Sequence, residues 1–110
     1  MGALEDDLDW NLRVSRKIDD ADAIIDPIWN RAIDAVAVAR IQFPQPNYVG
    51  LKVAEEAGEV IKAAVHYAEG RDTWEHVEKE VVQMIAMGLR LLVEGDERNG
   101  IIPPHKLPTR

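Results

Sequence analysis

Apolar residues recur along this chain at helical spacing, and nowhere in the strict alternation of a strand. Ile28, Trp29, Ala32, Ile33, Ala35, Val36 and Val38 form one face that runs to about Ile41. Asp26-Pro27 reads as its start, with Asp as N-cap and Pro at the first helical position, where a missing N–H costs nothing. Asp19–Ile25 reads as an earlier turn of the same rod, kinked at Pro27. Pro44 and Pro46 in FPQPN (43–47) each remove a donor and restrict the residue before them, so that segment is a connector. A second helix is expected from an Asn47 cap to Glu69, closed by Gly70. Asp72 as cap with Glu75 three residues on opens a third, Thr73–Glu94, closed by Gly95. So short a joint makes these two helices antiparallel neighbours. The expected class is all-α: a small antiparallel helical bundle. Around it lie an N-terminal arm (1–18), in which Leu4, Leu8 and Leu12 suit a short helix, and a Pro-rich tail (96–110), expected to be extended or partly disordered and to lie over a partner chain. The helical domain proper is placed at 19–95.

Composition narrows the function. The 110 residues carry 13 Lys+Arg against 20 Asp+Glu, a formal net charge of −7, and no cysteine. Binding to a nucleic-acid backbone depends on clustered cations, so this balance argues against a nucleic-acid polymer as partner. It permits a small phosphate compound, because a divalent cation held by surplus carboxylates inverts the local sign. Without thiols there is no disulfide framework or zinc ribbon. The start MGALEDDLDW has acids where a secretory signal carries a basic region, and no apolar run approaches the ~20 residues of a membrane span. A cytoplasmic protein without membrane contact is expected.

The carboxylates are informative once placed on their helices. At about 100° per residue, Val53, Ala57, Val60, Ile61, Ala64, Val65 and Ala68 share one arc of the second helix. Lys52, Glu55, Glu56, Glu59, Lys62 and His66 fill the opposite arc, with Glu56 at the edge of the apolar one. The third helix is apolar around most of its circumference, and Glu80 lies within about 60° of Val77, Met84, Met87 and Leu91. A lone carboxylate in that stripe costs several kcal/mol unless paired, protonated or bound to a cation. Gln83 is close enough to share a ligand with it. Two antiparallel helices with oxygen ligands at i and i+3 suit a hard ion, Mg²⁺ with Mn²⁺ as the alternative, whose shell is commonly completed by substrate phosphates.

LKVAEEAGEVIKAA (51–64), with its Glu55-Glu56-x-x-Glu59, and KEVVQMIAMGLRLL (79–92), with Glu80-x-x-Gln83, together resemble the MazG-like all-α nucleoside triphosphate pyrophosphohydrolases. That superfamily includes the dimeric dUTPases and phosphoribosyl-ATP pyrophosphohydrolase, and the resemblance covers about residues 27–95. It implies an EExxE helix antiparallel to an ExxD helix, acids binding Mg²⁺, and cleavage between the α- and β-phosphates. Glu56, Glu59 and Glu80 match the family's metal ligands, and Gln83 stands where the family has Asp. Glu55 matches the first acid and is the candidate to orient or deprotonate the attacking water. Lys52, Lys62, Lys79 and Arg90 are candidate phosphate contacts. Trp29 and Asn30 on the first helix are candidate base contacts, with a core position as the equal alternative for Trp29. The implied reaction is Mg²⁺-dependent hydrolysis of a (deoxy)nucleoside triphosphate to the monophosphate and pyrophosphate, as in nucleotide-pool sanitation. The enzymatic alternative is phosphoribosyl-ATP hydrolysis, and the non-enzymatic one is a catalytically weak nucleotide-binding or protein-interaction module.

Competing with the metal reading is a solvated acidic face, with ion pairs Lys52–Glu56 and Glu59–Lys62, a Glu55 that lacks such a partner, and a Glu80 paired to a cation across the bundle. His66 and His76 read as surface residues, and Met84 and Met87 as packing. A third helix this apolar exceeds what one short chain covers, so completion of the bundle by homo-oligomerisation, as a homodimer or a dimer of dimers, is expected.

Overall fold

The helical periodicity is realised as three α-helices: α1 (Gly2–Gln42), α2 (Val49–Ala68) and α3 (Trp74–Glu94). Two short 3-10 turns follow, Glu97–Asn99 and Pro104–Lys106. This computed structural model describes residues 2–108, and the side chains of residues 2–6 and 14–19, Leu4 of the expected arm helix among them, lie outside the description. Among the described residues there is no strand, only an isolated bridge between Asp96 and Ile101, and no helix is long and apolar enough to cross a membrane.

Contacts divide the chain into Met1–Asn30 and Arg31–Arg110. In the first unit Leu8, Trp10, Leu12, Ile24, Ile25 and Trp29 are exposed, and Arg13 pairs with Asp9 one turn away at 3.2 Å. Pro27 does not start a helix; it lies inside α1. Proline forfeits a single backbone bond, to the carbonyl of Ala23, and the helical phase of the apolar positions continues through it to Ala32 and Ala39.

In the second unit α2 and α3 form an antiparallel αα-hairpin. Gly50 at the start of α2 donates its N–H to Asp96, just beyond α3, at 2.9 Å. At the other end Tyr67 meets Trp74 edge to face, with centroids 5.2 Å apart. The last turns of α1 complete the core, where Ala39, Ala86 and Met87 pack with Ala35, Val36 and Val53. Arg31 adds an ion pair to Glu78 at 3.7 Å.

Three local expectations are corrected. Asn47 does not cap α2: the N-cap is Tyr48, which makes no side-chain capping bond, and Asn47 Oδ1 accepts from its immediate neighbour Tyr48. The cap of α3 is Thr73, whose hydroxyl accepts the His76 N–H at 3.2 Å, so Asp72 stands one place too early for the expected box with Glu75. The tail is not simply extended, because it folds back on the end of α3. There His105 donates to the Val93 carbonyl at 2.7 Å and Lys106 to that of Glu94 at 3.0 Å, supplying donors to carbonyls that a helix end leaves unpaired.

Candidate functional site

The polar arc of α2 divides in two. Burial follows Val49, Val53, Glu56, Val60 and Ala63, whereas Lys52, Glu55, Glu59 and Lys62 are exposed. The Glu55 side chain is 64% exposed and pairs with Lys52 at 3.2 Å, so the acid expected to lack a partner has one, and the expected Lys52–Glu56 pair is replaced by it. Glu56 alone of the three motif acids enters the interhelical face.

From α3 the charge of Glu80, whose side chain is 15% exposed, reaches it. Burial pushes the Glu56 carboxyl above its ordinary value, and the negative charge of Glu80 adds to the push. Lys52 opposes it, while Glu59 and Glu55 raise it further. Ionising Glu56 therefore carries a cost, one that a cation would relieve.

Glu80 has a partner, but not the cation across the bundle that the competing reading supplied. His76, one turn earlier on its own helix, places Nε2 3.2 Å from Glu80 Oε1. Its Nδ1 is bonded to Asp72 Oδ2. The imidazole is held above its ordinary value, first by the bond to Asp72, and Asp72 correspondingly below its own. The signal for this row was in the sequence, as Asp72, His76 and Glu80 at successive i,i+4 steps.

Glu56 opens on a cleft of about 450 Å³, whose lining does not include Glu80. Lys52, Glu56, Gln83 and Arg90 line it together with an apolar wall of Val38, Ala39, Phe43, Val49 and Met87 and the amides of Gln42 and Asn47. Four residues singled out from sequence thus come together. Gln42, Phe43 and Asn47 were missed, since the last residue of α1 and a proline-rich connector carry no periodic signal. Glu59, Lys62 and Lys79 lie exposed outside the cleft lining. Trp29 and Asn30 belong to the first unit and are exposed there.

Arg90 is 1% exposed, and its guanidinium is engaged by Glu94 and by the carbonyl of Phe43. Its charge is matched within the fold, which makes it a wall of the cleft. Among the described residues no group of three or more His, Asp or Glu side chains is arranged to hold an ion by itself. Mg²⁺ is commonly bound by one or two carboxylates with waters and phosphates completing the shell, and Glu56, with the Gln83 amide in the same cleft lining and the charge of Glu80 acting on it, fits that mode. No protein-family model matches the chain, and no curated protein or solved structure is found to be similar to it.

Proposed function

We propose that this protein is a Mg²⁺-dependent nucleoside triphosphate pyrophosphohydrolase that cleaves a (deoxy)nucleoside triphosphate to the monophosphate and pyrophosphate. The observation that carries the reading is that Glu56 of α2, raised by burial and by the charge of Glu80 on α3, lines a cleft large enough for a small ligand. Glu56 and Glu80 would hold the ion, with the Gln83 amide oxygen in reach of the same cleft. When bound, it neutralises charge on phosphate oxygens and makes a water molecule a better nucleophile.

The protein's own groups account for the remainder. Lys52 at the cleft edge offers a positive charge to the phosphates. Glu55 enters through Lys52, whose ammonium it holds, and not as the base first expected for it. Val38, Phe43 and Met87 keep water from one side of a ligand, and the amides of Gln42 and Asn47 can donate to and accept from a heterocycle edge. The proposed assembly is a homodimer or a dimer of dimers.

A second reading, a catalytically weak binding module, is favoured by one observation: His76 already gives Glu80 a partner, while Gln83 brings no charge. Pyrophosphate release from a panel of nucleoside triphosphates with Mg²⁺ or Mn²⁺ separates the two. The enzyme requires the metal and loses about 100-fold of its rate in Glu80→Gln. No release from any triphosphate, even with Mn²⁺, overturns the enzymatic reading in favour of the module.

A further inference from the structure

We propose that Asp72 and His76 are positioning residues for Glu80, holding one of its carboxylate oxygens so that the other stays available to a divalent cation shared with Glu56. The inference rests on the metal reading above and adds two residues that neither acidic motif contains.

Asp72, His76 and Glu80 follow one another at i,i+4, so they lie along one face of α3 and its entry. The row is anchored at its start. Asp72 Oδ1 accepts the Thr73 N–H at 2.8 Å, and Thr73 Oγ1 accepts the N–H of His76 at 3.2 Å. The helix cap therefore fixes both the acid that grips the imidazole and the backbone that carries it. From there His76 Nδ1 is bonded to Asp72 Oδ2, and Nε2 stands 3.2 Å from Glu80 Oε1. No other side chain among the described residues bonds the Glu80 carboxylate.

The geometry has a purpose that a solvated ion pair lacks. Glu80 is far less exposed than His76, 15% against 43%, and the half-buried acid Glu56 is near enough for their charges to repel. An unrestrained carboxylate would rotate away from Glu56. A hydrogen bond to Oε1 from its own helix holds it in place and leaves Oε2 for an ion. Partners of this outer kind typically change metal affinity by 10–100-fold.

The test is Mn²⁺ binding to the full chain without nucleotide, by calorimetry and by the spin resonance of the free ion. His76→Ala is expected to weaken binding about 10-fold or more, and Asp72→Asn to weaken it in the same direction. His76→Gln, whose amide reaches one turn on, is expected to stay within about threefold of wild type. Melting curves establish that each variant is folded, and if His76→Ala is not, Asp72→Asn decides. Binding by His76→Ala as tight as wild type, or tighter, overturns the inference, because the imidazole would then compete with the ion. A loss in His76→Gln equal to that in His76→Ala overturns it too. Wild type that binds no Mn²⁺ overturns the metal reading itself, an outcome told apart from the others by the wild-type titration alone.

Discussion

Asp96 does for the start of α2 what the residue before that helix does not. Tyr48 makes no capping bond, and the buried Asp96 carboxylate instead accepts the Gly50 N–H at 2.9 Å and the Asn99 amide at 2.8 Å. Gly50 leaves room for it, since a Cβ there would stand 2.9 Å from Asp96 Oδ2. The Asn99 bond holds Asp96 below its ordinary value of 3.8, with backbone N–H groups of Gly50, Asn99 and Arg98 assisting against burial. A lowered carboxylate contributes stability that is present above its unfolded value and is lost as pH falls through its folded one. Asp96→Asn is therefore expected to lower the melting temperature at neutral pH, and the gap to wild type to close as the solution is acidified below 3.8. A gap that is constant down to pH 2 would remove the linkage. No local pattern discloses such a cap, because the capping residue is sought next to the helix and this one arrives by tertiary contact from the far side of α3. Glu56 and Glu80, by contrast, were legible: each sits at the margin of or within an apolar stripe, and a stripe interrupted by an acid asks for an explanation.

At the scale of the element, the end of α3 shows why periodicity locates helices better than it assigns their charges. Gly70 and Gly95, with φ +73° and +76°, stand where α2 and α3 were expected to close. Arg90 was a candidate phosphate contact, yet it is spent on structure. It joins Glu94 of its own helix to the Phe43 carbonyl of the connector, and Arg40 approaches Glu94 at 3.6 Å. Removing one member of a buried charge pair costs about 3–5 kcal/mol, since the other is left desolvated. Arg90→Met is thus expected to destabilise the protein by about 3 kcal/mol in urea titration, and Arg90→Lys to recover little of it, because one ammonium does not reproduce the fork that serves both partners. A change below about 1 kcal/mol in Arg90→Met would show the network to be dispensable. The tail was illegible for a related reason. Prolines exclude a continued helix but say nothing of where the chain goes next, and its path is set by the turn at Gly95 and by the donors of His105 and Lys106.

For the whole molecule the question is what covers the apolar surface that the hairpin leaves bare. The broad apolar arc read on α2 divides in the fold: Val53, Val60 and Ala63 turn inward, while Ile61, Val65 and Ala68 remain exposed together with Leu51, Ala54 and Gly58. Residues 51, 54, 58, 61, 65 and 68 are spaced alternately three and four apart, the seam of a helix that packs lengthwise on another. Ile61 is 65% exposed, a state that contiguous apolar surface seldom keeps in a monomer. Beside the seam runs the row Lys52, Glu55, Glu59, Lys62, a polar rim with both signs present. We therefore expect an even-numbered assembly through this face in size-exclusion chromatography with light scattering, and Ile61→Asp to shift it to the monomer. Glu56 and Glu80 are supplied by one chain, so the monomeric variant should retain Mn²⁺ binding within about threefold. Wild type that is monomeric at all accessible concentrations would sink the seam. A monomeric variant that loses the ion would instead mean that the partner copy contributes to the cleft.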